Sequence, residues 1–410
     1  MLVVQKYGGT SVANVERIAN VARRVIEYRN RGDDVVVVVS AMSGETDRLL
    51  GLAGAIAKFP EEREVDVLIS TGEQVTSALL SITLKEMGLE AVSVLGHQAR
   101  IVTDSAFGKA RISDVEKEKI LEELKKGKVV VVPGFQGVDE EGNITTLGRG
   151  GSDTTAVAVA AALPADVCEI YTDVDGVYTT DPNITDKARR LDRISYDEML
   201  EMASLGAKVL QIRSVELAKK FNVPLLVKSS LVEGKGTLVC QEVPSMEQVV
   251  VSGMTYNKNE SKITVSRVPD KPGVASRLFA ALADANIVID MIVQNVGHDN
   301  FTDITFTTGR ADAKKAQKTM QELAAEVDAQ GVILDEKIAK VSIVGLGMRS
   351  HAGIASKMFS LLSNEGINIV MISTSEIKIS CVIEEKYGEL AVRVLHTGFG
   401  LDAEDVQEEK

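Results

Sequence analysis

Two stretches of sequence 80 residues apart, GVASRLFAALADANIVIDMI (273–292) and GIASKMFSLLSNEGINIVMI (353–372), are identical at nine of twenty positions. The similarity runs through a helical pattern and on into the strand after it, so it marks an internal repeat rather than two helices of like composition. Outward from the repeat, the first copy shows a strand at 262–268, a helix at 273–285, strands at 287–296 and 301–307, a helix at 312–330 and a closing strand at 331–335. That order, βαββαβ, is ferredoxin-like. The second copy is one strand short. After its last helical stretch, 387–397, only GFGLDAEDVQEEK (398–410) remains, too acidic and polar for a buried strand. The apolar run QVVVSGMT (248–255), ahead of the first copy, is expected to supply the missing strand, which places the first copy inside the second.

Upstream, β-branched runs at 2–5, 35–39, 91–95, 129–132, 168–172 and 224–227 alternate with amphipathic segments. One of these, 113–126, offers Ser113 and Glu116 as a capping box and Gly127 as a stop, and so predicts a helix. Strands alternating with helices argue for an α/β layer, a largely parallel sheet sandwiched by helices. The expected domains are 1–245, then 259–337 for the first repeat copy, 246–258 with 338–402 for the second, and an acidic tail at 403–410.

The chain has 410 residues, 45% apolar and 26% charged, a globular balance with enough length for two or three cores. Its net charge of −13 repels phosphodiester backbones and anionic lipid, which argues against nucleic acid and membrane partners. Cys168, Cys240 and Cys381 form no CxxC pair and the four histidines show no ligand spacing, so neither a disulfide framework nor a metal site is predicted. No apolar run approaches the ~18 residues that span a bilayer, and MLVVQKYGG enters a strand pattern without a basic leader. A cytoplasmic protein is expected.

The chemistry-bearing motifs follow strands. KYGGTSV (6–12) sets a lysine and paired glycines after the first strand, where backbone amides can approach phosphate oxygens. No GxxxxGK[ST] loop and no protein-kinase HRD and DFG set occurs. TLGRGGSDTTAVAVAAAL (146–163) puts glycines, Arg149 and Asp153 before an alanine-rich helix. Asp153 could be a plain N-cap, but the turn has no structural need of a guanidinium, whereas a carboxylate substrate does. SAMSGETDRLL (40–50) offers Ser40, Ser43 and Thr46 at a strand end, and STGEQVTSALL (70–80) puts Glu73 near the start of a helix; either could be capping alone. In YTDVDGVYTTDPN (171–183), Asp173 and Asp175 could serve magnesium, a ribose or only turns. GAKVLQIRS (206–214) adds Lys208.

These six motifs, in this order and spacing, resemble the aspartate kinases of the amino acid kinase family, and the repeat resembles their paired C-terminal ACT domains. Departures are small: Tyr7 stands where phenylalanine is frequent, and Gln211 and Ile212 replace a frequent His-Pro. The resemblance implies an amino acid kinase fold followed by two ACT domains, and transfer of the ATP γ-phosphate to the side-chain carboxylate of L-aspartate. It further implies catalytic roles for Lys6 and Asp153, and an aspartate pocket of Ser40, Thr46, Glu73, Arg149, Gly150, Gly151 and Ser152, with Arg149 meeting the α-carboxylate and Glu73 the ammonium. The nucleotide would be held by Lys6, Tyr7, Gly8, Gly9, Thr10, Thr172, Asp173, Tyr178, Asp181 and Lys208, with magnesium carried mainly by phosphates and water. Amino-acid effectors, lysine or threonine or both, would bind at Asp270, Val274, Ala275, Gln294 and Asn295 of the first copy and Ile354, Ala355, Asn368, Ile369, Ser375 and Glu376 of the second. A homo-oligomer, or association with a separate regulatory chain of its own C-terminal half, would form through the ACT domains.

Two other readings compete. A related kinase would phosphorylate glutamate, N-acetylglutamate or a nucleoside monophosphate; an acetylated or nucleotide substrate has no ammonium for Glu73. An inactive amino-acid sensor would have no need of Lys6, Glu73, Arg149 and Asp153, all present here.

Overall fold

A computed structural model describes residues 1–206, 209–241, 251–295, 297, 299–345, 348 and 353–403. The chain divides into two compact units, Met1–Tyr178 with Arg190–Ser245, and Thr179–Arg189 with Met246–Lys410.

The first unit is built on an eight-stranded sheet. Its order is Arg193–Ser195, Thr237–Cys240, Leu225–Ser229, Val167–Thr172, Leu2–Tyr7, Asp34–Val39, Val129–Pro133, Ala91–Ser93. Pairing is parallel except between Leu225–Ser229 and Thr237–Cys240. Central strands of such a sheet are covered on both faces, which is why Val35 to Val39 read as an unbroken β-branched run. Val35, Val37 and Val39 share a cluster with Ile18, Val21 and Val25 of helix Val15–Asn30 and with Leu80 and Leu84 of helix Glu62–Glu86. Val4, Val36 and Val38 are equally buried and by the pleat face the opposite side. There the helix Gly151–Ala162 lies against the sheet, its alanines and glycine permitting close approach.

Two expectations are corrected here. Ser113 and Glu116 make no capping box: Ile112–Val115 is a strand paired with Ile101–Thr103, and the helix is confined to Glu118–Lys125. The Ser113 hydroxyl donates to Val102 O, so the ladder takes the residues that looked like a cap. A capping box does occur, at Ser195 and Glu198. Glu73 sits in the middle of the 25-residue helix Glu62–Glu86, not near its start. That helix is also long and apolar enough, by length and composition, to cross a membrane, although half of the relevant stretch is buried within the protein.

In the second unit each repeat copy forms a four-stranded sheet. The first runs Ile289–Gln294, Phe301–Gly309, Glu260–Pro269, Gly331–Asp335, with helices Val274–Asp284 and Ala313–Glu326. The second runs Ile369–Thr374, Lys378–Glu384, Ile338–Gly345, Val251–Asn257, with helices Ile354–Asn364 and Gly388–Gly398. Val251–Asn257 is antiparallel to Ile338–Gly345 and fills the edge that Gly331–Asp335 fills in the first copy. The strand sought at 248–255 is thus present from Val251; residues 248–250 lie outside those described. Between the copies, Met291, Ile338, Met371 and Val382 pack together, and buried Lys340 pairs with Glu260 and Asp290.

Candidate active site

The strand ends of the first unit surround a cleft of about 940 Å³. Strand Leu2–Tyr7 delivers Lys6 to it, and the turn that follows brings Gly8 and Gly9. Gly9 must be glycine, because a Cβ there would stand 2.9 Å from Ala41 O. Ser40 and Thr46 line the cleft after the second strand, Glu73 lines it from helix Glu62–Glu86, and Arg149, Gly150, Gly151, Ser152 and Asp153 line it at the start of the alanine-rich helix.

Lys6 and Asp153, far apart in sequence, meet as an ion pair at 2.6 Å, both mostly buried. Asp153 is in the first turn of its helix; the N-cap is Gly150, at φ 73°. The carboxylate is therefore free of capping duty and faces the lysine. Glu73 is 3% exposed. Its Oε1 accepts the Ala41 N–H at 3.1 Å while Oε2 is buried with no partner among the described residues. Burial pushes this carboxyl up to about 7, against the partial relief of backbone N–H donors. Arg149 is exposed on the rim, with no ion-pair partner among the described residues.

Two residues outside the predicted set hold the Arg149 loop. Asp66, fully buried, accepts the Thr146 N–H at 2.7 Å, the Thr146 hydroxyl at 2.6 Å and the Gly108 N–H. Arg213 donates to Leu147 O and Ala110 O. Together they fix the two residues before Gly148, so Arg149 projects from an anchored base. Gln211 lines the cleft against Gly150, where any side chain would collide with it. A lone aspartate and an arginine on amphipathic helices carry no local signal of such duties.

The nucleotide candidates are dispersed. The Tyr7 ring is fully buried and stacked on Tyr171 with centroids 4.6 Å apart, so its side chain belongs to the core and is corrected as a ligand contact. Thr10 is exposed, its carbonyl accepting from Arg17. Thr172 donates to Asp173 and Tyr178 to Asp175. Asp181 lies in the segment that joins the second unit, accepting from Asn183. Lys208 lies outside the described residues.

In the ACT unit a cavity of about 330 Å³ gathers Asp270, Val274, Ala275 and Gln294 at the start of helix Val274–Asp284. Asn295 instead lines a second cavity, of about 820 Å³, together with Ile369 of the other copy. Ile354 and Ala355 pack on the second copy's core, Asn368 and Glu376 are exposed, and the Ser375 hydroxyl accepts the Ile377 N–H.

The sequence profile of the amino acid kinase family matches residues 1–229, and ACT domain profiles match 263–325 and 341–399. The chain is 62% identical over 403 residues to an aspartate kinase of Stutzerimonas stutzeri and over 404 residues to an aspartokinase of Pseudomonas aeruginosa, covering 98% of each chain in both cases. Among solved structures it is similar to Escherichia coli aspartokinase III, 28% identical across 97% of this chain and 99% of that one. The TM-score is 0.79 for the complex with aspartate and ADP and 0.80 for the complex with lysine and aspartate. A profile over more than half of the chain, and relatives alike along nearly its whole length, place it in the amino acid kinase family: the chain is an aspartate kinase.

Proposed function

We propose that the cleft transfers the ATP γ-phosphate to the side-chain carboxylate of L-aspartate, giving 4-phospho-L-aspartate, with Glu73 as the residue that selects a free amino acid. The single observation behind this is the orphaned Glu73 oxygen: a buried carboxylate with an unfilled acceptor in a cleft rimmed by an unpaired guanidinium suits a zwitterion. Arg149 takes the α-carboxylate, and Ser40 and Thr46 supply hydroxyls. The backbone of Gly150 to Ser152 closes the pocket.

The nucleophile is ionised at neutral pH, so no general base is required. Lys6 stabilises charge on the transferring phosphoryl group, and Asp153 holds Lys6 in place through their ion pair. Gly8, Gly9 and Thr10 cradle phosphates; Thr172, Asp173 and Tyr178 meet the rest of the nucleotide. Among the described residues no three His, Cys, Asp or Glu side chains could jointly hold a metal, a donor set that suits magnesium brought in by ATP and held by phosphates and water. When bound, it neutralises phosphate charge.

The product heads the route to lysine, threonine and methionine, and the 330 Å³ cavity admits lysine or threonine as feedback effector in a cytoplasmic homo-oligomer, or a complex with a separate C-terminal chain, joined through ACT domains. The domain limits 1–245, 259–337 and 246–258 with 338–402 accompany this reading. Incubation with ATP, magnesium and aspartate, glutamate or N-acetylglutamate, followed by hydroxylamine trapping, tests it. Acyl hydroxamate from aspartate alone is expected; a faster reaction with N-acetylglutamate would sink the assignment of Glu73.

A further inference from the structure

The segment Thr179–Arg189 belongs to the catalytic domain by sequence and to the ACT unit by packing. It leaves the catalytic unit at Tyr178 and returns at Arg190, which face each other as an isolated antiparallel bridge. Thr179 and Arg189 extend that pairing: the Thr179 N–H donates to Arg189 O at 2.8 Å and the Arg189 N–H donates to Thr179 Oγ1 at 3.0 Å. The excursion therefore has a narrow neck.

The second ACT copy grips this neck. Thr179 O accepts the Met254 N–H at 2.7 Å, Arg189 Nε donates to Leu401 O at 2.8 Å, and Thr179 Oγ1 lies 2.9 Å from His396 Nε2. Thr179 and His396 are each 1% exposed, and Ile184 packs on the same core. His396 is costly where it stands. Its Nδ1 is buried without a partner among the described residues, and burial holds its pKa below the ordinary histidine range. A leucine would fill the space on this apolar helix face without that penalty. The bond to Thr179 is what the imidazole adds.

We propose that His396 is a positioning residue for the kinase reaction: by holding Thr179 it fixes the backbone at Tyr178, one residue away, and thereby the affinity of the nucleotide motif for ATP. The second ACT copy is then an anchor for the nucleotide loop. The proposal rests on the nucleotide reading of Asp173 and Tyr178.

Steady-state kinetics of the full-length enzyme test it. His396→Leu should raise the KM for ATP by about 5-fold or more, with the KM for aspartate and the kcat at saturating ATP within about twofold. His396→Gln, whose amide nitrogen reaches the Nε2 position, should restore it. Thr179→Val should reproduce the His396→Leu effect, and the double variant should be no worse than either. Should His396→Leu not fold, Thr179→Val carries the test from the other side of the bond. An unchanged KM for ATP, an equal rise in both Michaelis constants, or identical behaviour of the Leu and Gln variants overturns the proposal. Asp173→Ala separates the two levels: if it leaves the KM for ATP unchanged, the nucleotide reading itself falls, whereas a raised KM there beside a silent His396→Leu removes only the anchor.

Discussion

The catalytic unit and the ACT unit both bury charged side chains and do opposite things with them. Lys340, 2% exposed at the junction of the ACT copies, has Glu260 at 2.6 Å and Asp290 beside it, so its charge is met twice, although the second Glu260 oxygen is buried without a partner among the described residues. Glu73, nearly as buried, has a backbone N–H on one oxygen and, among the described residues, nothing on the other. The first arrangement has used its Coulomb energy on itself and locks two elements in register. The second stays unsatisfied until a cation arrives, so it costs the free protein stability and returns that energy on binding. Neither degree of burial nor an unpartnered oxygen distinguishes them; the presence of an opposite charge does.

The largest effect is expected in the same cleft from Lys6→Ala, which removes a charge and no core volume. A charged group at a phosphoryl transition state contributes several kcal/mol, so kcat should fall at least ~100-fold while the fold survives. A near-normal kcat would take Lys6 out of the mechanism.

Next in size is the closed arrangement. Lys340→Ala leaves two carboxylates facing each other and should destabilise the ACT unit by about 3 kcal/mol, read as a lowered unfolding midpoint. Replacing all three groups by apolar residues of like volume should recover most of the loss. An unmoved midpoint in Lys340→Ala would mean the triad is not a lock.

Glu73→Gln sharpens the contrast through pH. The carboxyl of Glu73 titrates near 7 in the free enzyme, so below that pH it is neutral and poorly matched to an ammonium ion. The kcat/KM for aspartate should fall by up to about tenfold per pH unit below the inflection. Glu73→Gln should abolish the inflection and raise the KM for aspartate about tenfold without changing that for ATP. The stability sign is opposite to that of a paired carboxylate. Unfolded, Glu73 titrates near the ordinary value of about 4.3; between there and 7 the folded state holds more protons, so stability declines as pH rises through that window. Glu73→Gln should therefore raise the unfolding midpoint at pH 8 and leave it unchanged at pH 4, which scanning calorimetry would read.

The smallest effect on catalysis is expected at the 330 Å³ cavity proposed for the effector. Asp270→Ala or Gln294→Ala should relieve inhibition by the cognate amino acid and leave the uninhibited kcat nearly intact. If lysine and threonine, singly and together at millimolar concentrations, leave the wild-type rate unchanged, the regulatory role of that cavity falls.

Much of this architecture was legible because it is local. The buried valine run at 35–39, the repeat, and the glycine turns before helices each express themselves within a few residues. The missing strand of the second copy was legible from arithmetic, one strand short in one place and one spare in another. What escaped was long-range. Ser113 and Glu116 have the spacing of a cap, but pairing with Ile101–Thr103 outbid it. Tyr7 directly follows Lys6, which lines the cleft, yet alternation along the strand turns its ring into the core. Asp66 and Arg213 hold the Arg149 loop through backbone groups far away in sequence. No pattern near residues 179 and 189 announces that their partners come from residues 254, 396 and 401.

The placement of Val251–Asn257 also bears on the order in which the protein is made. This strand leaves the ribosome before the whole first ACT copy, yet its partner Ile338–Gly345 follows that copy. At a synthesis rate of about 5–20 residues per second, the nascent chain carries an unpaired strand edge for several seconds while the intervening copy folds. Unpaired edges seek other edges, and on a polysome the nearest belong to identical chains. Translation pauses, or chaperones that shield β-edges, would matter most in that interval, and exchange of this strand between neighbouring chains is the misassembly the topology invites.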